Sequence, residues 1–196
     1  MEQTAVQRLA KLLKALVSAV LVLNLFCLLL VPGAAVLLKD GGMPMLRQAF
    51  AAALELPGYE GQGFRSLPMF FLSCLVWMWR DGETVFLALF YWVCGTCTAV
   101  VLHQARLVLN TILSGDPFRM VNARALKRAA VSCWVISGAA LVRLIEWLIY
   151  EGSLFPLFTY TTLFIPVFFM GGLLFMVMSA LFRQAAELQE DQDLTI

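Results

Sequence analysis

The feature that most constrains this chain is the length of its uncharged, apolar runs. Four long apolar runs follow one another, at residues 15–38, 84–102, 129–150 and 152–182. Only the third contains charged side chains, Arg143 and Glu146. A bilayer's hydrocarbon core is about 30 Å thick and takes about 20 helical residues to cross. Because every backbone amide in that medium must be bonded within its own segment, the runs predict membrane-spanning helices.

Composition supports this interpretation and excludes other classes of protein. Hydrophobic residues make up 61% of the chain and charged residues 14%, against about 45–50% and 25% in soluble domains. The net charge of +1 argues against direct nucleic-acid binding, because such domains have a pI above about 9. The first run is longer than the 7–15 residues typical of a cleavable signal's apolar core, so it is interpreted as a retained span. The predicted fold is all-α, a polytopic four-transmembrane-helix bundle that forms a single membrane domain.

The distribution of basic residues predicts the orientation of the bundle. Lysine and arginine accumulate in short cytoplasmic loops. If the N-terminus is cytoplasmic, nine of the 14 lysines and arginines lie on that side: Arg8, Lys11, Lys14, Arg106, Arg119, Arg124, Lys127, Arg128 and Arg183. The prediction is therefore a multi-pass protein of the cytoplasmic (inner) membrane with both termini in the cytoplasm.

This orientation gives a complete layout of the chain. The predicted spans cover about residues 15–38, 84–104, 129–150 and 158–182. An outer loop covers residues 39–83, a cytoplasmic elbow residues 105–128 and a cytoplasmic tail residues 183–196. Within the outer loop, residues 67–79 are apolar but too short to cross, which favours an interfacial or re-entrant segment. Pro166 is expected to kink the fourth span.

The elbow has the sequence pattern of a structured turn. Gly115 is suited to end the helix that continues from span two, Asp116 to cap the next helix and Pro117 to occupy its first position. Asn122 is placed to cap a further turn. Phe118, Val121 and Leu126 contribute an apolar face beside the four bases of this segment. Two interpretations stay open, a structural elbow whose bases lie near anionic lipid headgroups and a docking surface for a cytoplasmic protein.

The tail is acidic and allows three arrangements. It contains four acids and one base, so it could fold back on the basic elbow through exposed ion pairs worth about 0–1 kcal/mol each. Its last four residues could instead add a strand to a partner's sheet. The third arrangement is a frayed end. Those last four residues are Asp193, Leu194, Thr195 and Ile196.

The elbow and the tail together resemble a known family. The sequence Gly-Asp-Pro-Phe at residues 115–118, followed by Asn122 and Leu126, and an acidic tail that ends Asp-Leu-Thr-Ile resemble the bacterial membrane-protein family called domain of unknown function 2975. The resemblance implies four helices, and no biochemical activity is established for this family. Its members often adjoin genes for small helix-turn-helix regulators, which implies a role in membrane signalling and a transcriptional regulator as partner.

Three other groups of residues carry alternatives. Arg143 and Glu146 can pair on one helix face, either as a structural pair near the outer interface or as a proton, ion or ligand site. Cys94 and Cys97 have the spacing of a redox dithiol, but in an apolar span they favour helix packing. His103 has no cysteine or carboxylate at zinc-ligand spacing, so it is interpreted as an interfacial residue.

The sequence therefore predicts a non-enzymatic integral membrane protein. No catalytic, cofactor-binding or metal-binding residues are predicted. The leading hypothesis is a signalling or regulatory interaction through the elbow and the tail, with the lipid bilayer, a cytoplasmic protein and a second copy of the chain as partners. The alternative is a small transporter or channel that uses Arg143 and Glu146.

Overall fold

The computed structural model of the protein is all-helical where it describes the chain. It describes residues 5–39, 75, 79, 82–115, 118–151 and 160–193. Four long helices account for nearly all of these residues: α1 Ala5–Lys39, α2 Gly82–Leu113, α3 Met120–Glu151 and α4 Tyr160–Asp193. Each contains a stretch long and apolar enough to cross a membrane. The all-α class is confirmed for the described residues, and these contain four helices with the length and apolar composition that the sequence predicts for membrane spans.

The helices are longer than the predicted spans. They contain 35, 32, 32 and 34 residues, or about 48–52 Å each at 1.5 Å per residue, against a hydrocarbon core of about 30 Å. α1 begins nine residues before Lys14, and α4 continues past Arg183 to Asp193. Because lysine, arginine and glutamate are good helix formers, charge marks the edge of the apolar run but does not end the helix. Of the three arrangements left open for the tail, the frayed end is wrong as far as Asp193, because α4 is helical to that residue.

The chain divides into two compact units, which are described separately. One contains Phe26–Trp92, and the other contains Met1–Leu25 with Val93–Ile196. In the first, α1 and α2 pack around Val31, Ala35 and Ala88. Pro32 lies within α1 and has no N–H to donate to the carbonyl four residues earlier, that of Leu28. The indole Nε1 of Trp92 donates to that carbonyl oxygen at 3.3 Å, so α2 supplies the hydrogen bond that proline removes.

In the second unit, the first turns of α1 pack beside the last turns of α2. Ala10 and Val17 of α1 form a buried cluster with Leu109 of α2. Ala10 and Val17 are seven positions apart in α1 and therefore lie on one helix face. The start of α1 and the end of α2 therefore lie at the same end of this unit.

α3 and α4 meet through contacts that repeat every seven residues. The Ser179 hydroxyl donates to the Ala123 carbonyl at 2.7 Å, and the Ser137 hydroxyl donates to the Ile165 carbonyl at 2.9 Å. Between them, Gly172 lies close to Ala130. The contact residues on α3 are thus spaced at 123, 130 and 137, and those on α4 at 165, 172 and 179. A seven-residue repeat is typical of left-handed helix packing, and small residues let the two backbones approach closely.

Several predicted features lie outside the described residues. Most of the outer loop (residues 39–83) is among them, and of the segment 67–79 only Leu75 and Trp79 are described, both helical and exposed. Asp116, Pro117 and the last three residues of the tail are also outside. The roles assigned to them stay predictions.

Candidate functional site

The strongest concentration of polar contacts lies where α2 turns into α3. α2 ends at Leu113, and Gly115 has φ = 84°, the left-handed conformation that glycine adopts beyond the last turn of a helix. The Gly115 amide donates to the Ile112 carbonyl at 3.2 Å, and the Ser114 amide donates to the Asn110 carbonyl at 3.0 Å. The sequence-based assignment of Gly115 as the end of this helix is therefore confirmed.

Asn122 holds the two helices together across this turn. Its side chain is fully buried, and Nδ2 donates to the Thr111 hydroxyl oxygen at 2.6 Å. The Thr111 hydroxyl in turn donates to the Val108 carbonyl at 2.7 Å. Asn122 lies inside α3, two residues after the first residue of that helix, so it does not cap the helix as predicted. Its side chain joins α3 to α2 instead.

α4 is attached to the same turn by two further contacts. The buried hydrogen bond from Ser179 reaches the carbonyl of Ala123, the residue next to Asn122. One turn further along α4, the ring of Phe182 contacts the ring of Phe118 with centroids 5.7 Å apart. Phe118 lies two residues before the start of α3, so these contacts tie the end of α4 to the start of α3.

The charged side chains around this structure are exposed, apart from the half-buried Lys14. We call this part of the molecule the basic end; it comprises Arg8, Lys11, Lys14, Arg106, Arg119, Arg124, Lys127, Arg128 and Arg183. Arg124, Lys127 and Arg128 are exposed on the first three turns of α3, and Leu126 between them is half-buried. The end of α4 adds the exposed acids Glu187, Glu190 and Asp191. The Arg183 guanidinium pairs with Glu187 at 2.8 Å in a solvent-exposed pair of small energetic value.

Arg143 and Glu146 form an ion pair within α3. Their side chains retain 21% and 15% of their exposed surface. Each charge therefore has its partner one turn away on its own helix. This arrangement satisfies the pair without a ligand from another element.

The cysteines of the spans are free thiols. Cys94 and Cys97 are half-buried and Cys133 of α3 is buried. The Thr98 hydroxyl donates to the Cys94 carbonyl at 2.8 Å, a contact within one helix. His103 is exposed. Among the residues that the structure describes, no group of three or more His, Cys, Asp or Glu side chains could hold a metal ion.

Sequence reasoning missed the residues that join the helices. Ser137 and Ser179 each lie in an apolar run, where a single hydroxyl gives no sign of a contact, and Thr111 lies in the predicted elbow, where it is one polar residue among several. The seven-residue spacing of small residues on α3 and α4 was the available signal. The close approach of Gly172 to the ring of Trp134 had no signal of its own, because it depends on the register of two helices.

Comparison with known proteins identifies the family. Residues 51–196 match the family described as "Protein of unknown function (DUF2975)". The chain belongs to this family. The matched part includes α2, α3 and α4, and therefore both segments that carried the resemblance. No curated protein and no solved structure matches the chain, so the DUF2975 family gives the protein a relationship but no activity.

Proposed function

We propose that this DUF2975 protein is a non-enzymatic regulatory protein of the inner membrane that binds a soluble protein at its basic end, on the cytoplasmic side. The observation that carries the proposal is the way this end is built. Buried hydrogen bonds of Asn122 and Ser179 and the Phe118–Phe182 contact join three helices directly beneath the exposed bases. These contacts hold the charged side chains in a fixed arrangement. They also couple the charged surface to the helices in the membrane.

The chemistry of the surface defines the partner. Arg124, Lys127 and Arg128 project on consecutive turns of α3 with no acid between them. Charge complementarity favours a protein with an acidic face and steers its approach. A transcriptional regulator is the partner class implied by the family resemblance. The transporter alternative has less support, because Arg143 and Glu146 already satisfy each other within α3.

Photo-crosslinking in the native host tests the proposal. A photoreactive residue replaces Val121, which is exposed beside the bases, and in a control it replaces Val142, which is exposed about six turns further along α3. We expect a protein adduct from position 121 and none from position 142.

Charge variants then decide whether the bases bind that protein. The variant Arg124→Glu, Lys127→Glu, Arg128→Glu should lose the adduct by at least about tenfold, which corresponds to about 1.4 kcal/mol. The matched variant Arg124→Lys, Lys127→Arg, Arg128→Lys keeps the charge and should retain it. Equal adduct yields from both variants would show that the basic surface does not bind a protein.

A further inference from the structure

The outer face of α4 carries a continuous apolar stripe that the chain itself does not cover. Its residues repeat at alternating spacings of three and four and are all at least 54% exposed: Leu163, Val167, Met170, Leu174, Val177, Leu181 and, one heptad further on, Leu188. This spacing is that of a coiled-coil seam. The residues that contact α3 lie on the opposite side of α4, so the stripe faces away from the chain's own core.

The stripe extends beyond the part of the molecule that lipid can cover. The Ser179–Ala123 hydrogen bond places Leu181 and Leu188 further out than Ala123. Ala123 itself is further from the membrane than Lys127 and Arg128, the two bases that directly precede the apolar run of α3. Leu188 has three polar or charged neighbours within two residues, Glu187, Gln189 and Glu190, and is 65% exposed. Large apolar side chains in this position mark an interaction surface.

The start of α1 carries a second exposed stripe at the same end of the unit. Leu9, Leu12, Leu16 and Leu23 are spaced by three, four and seven residues and are all at least 54% exposed. Ala10 and Val17 face α2 instead. A series of contacts places this stripe at the level of the end of α4. It runs from Ala10 and Leu109 through Thr111 and Asn122 to Ala123 and Ser179. Because both stripes stay exposed in one chain, they do not cover each other there.

The two helix ends that carry the stripes have opposite charge. The first turns of α1 carry Arg8, Lys11 and Lys14, and the last turns of α4 carry Glu187, Glu190 and Asp191 beside Arg183. α1 and α4 run in opposite directions through the membrane, so a pair of them brings the basic start next to the acidic end. A pair of two α4 helices in the same orientation would instead place acids beside acids.

We infer that a second copy of this chain covers both stripes, with α1 of each copy packed antiparallel against α4 of the other. Only a partner in the membrane with the same orientation can cover the stripe both inside and outside the hydrocarbon. A second copy presents α1 at the required depth, and a two-fold arrangement uses the same contact twice. This inference does not depend on the proposed soluble partner.

Disulfide crosslinking between differently tagged copies tests the arrangement. The five native cysteines are first replaced by alanine. One copy then carries Leu9→Cys and the other Leu181→Cys, and the two are coexpressed and oxidised in membranes. We expect a crosslinked dimer that contains both tags. A copy with Val121→Cys, exposed near the same level on α3, replaces the Leu181→Cys copy as a control and should give at least tenfold less.

Two outcomes would overturn the inference. A crosslink between two Leu181→Cys copies, without the mixed product, would show that α4 pairs with α4. A monomeric crosslink in one chain carrying both cysteines, without the mixed product, would show that each chain closes on itself.

A mass measurement without cysteines gives an independent check. The protein in nanodiscs should have twice the chain mass of 21.8 kDa. Leu181→Asp with Leu188→Asp, both at exposed positions, should reduce it to one chain mass with unchanged helix content. An unchanged mass would contradict the inference.

Discussion

A single buried carboxamide explains why the turn between α2 and α3 has a defined geometry. Asn122 is fully buried, and its Nδ2 bonds to a hydroxyl that is itself bonded to the Val108 carbonyl. A buried polar side chain is costly unless it is hydrogen-bonded. The part of this cost that comes from Nδ2 is offset in the conformation in which Thr111 and Asn122 meet, so this pair favours one arrangement of the two helices.

Removal of this hydrogen bond should destabilise the protein. Asn122→Ala is expected to lower the free energy of unfolding by about 1–3 kcal/mol, because it leaves a void and removes a buried hydrogen bond. Thermal unfolding in detergent micelles measures the effect. Asn110→Ala, at an exposed asparagine of α2, is the matched control and should have little effect.

A double-mutant cycle of Asn122→Ala with Thr111→Val should give a coupling energy of about 0.5–1.5 kcal/mol. Additive effects would mean that the two side chains do not interact.

At the scale of elements, α3 and α4 pack through small residues. A Cβ atom at Gly172 would overlap the ring of Trp134 and lie 3.2 Å from the Ala130 carbonyl oxygen. Neighbouring Gly171 has open space around its Cβ position. The Trp134 indole Nε1 is buried without a hydrogen-bond partner among the described residues, which shows that close packing takes precedence over polar satisfaction at this contact.

The two glycines therefore form a test of this packing. Gly172→Ala should lower the free energy of unfolding by about 1–3 kcal/mol, because the ring and the backbone of α3 must move apart. Gly171→Ala should leave it unchanged or raise it, since alanine is the better helix former. Trp134→Ala in the Gly172→Ala background should restore part of the loss. Equal effects of the two glycine substitutions, again by thermal unfolding in micelles, would show that α3 and α4 are not in this register.

The whole molecule shows which features a sequence can and cannot reveal. The four helices were predictable because hydrocarbon forces any long uncharged run to bond internally, and that constraint acts on each run separately. The turn at Gly115 was predictable because its backbone conformation favours glycine. The contacts of Ser137, Ser179 and Gly172 were not predicted, since each needs the register between two helices. Asn122 was assigned to a local cap because its actual partner, Thr111, lies on the preceding helix.

The direction in which the chain crosses the membrane is a property of the whole molecule, and it can be measured by labelling. Gly82 at the start of α2 and Gln189 near the end of α4 are both exposed, and three apolar helices separate them along the chain, so three crossings would place them on opposite sides of the membrane. The accumulation of bases predicts that Gln189 lies in the cytoplasm. In a cysteine-free background, Gly82→Cys should react with a membrane-impermeant maleimide in intact cells, and Gln189→Cys should react only after permeabilisation. The reverse pattern would contradict the orientation, and labelling of both in intact cells would contradict three crossings. The reverse pattern would place the basic end outside the cytoplasm, and labelling of both positions would mean that its residues do not all lie on one side. In either case the proposed soluble partner could not bind there.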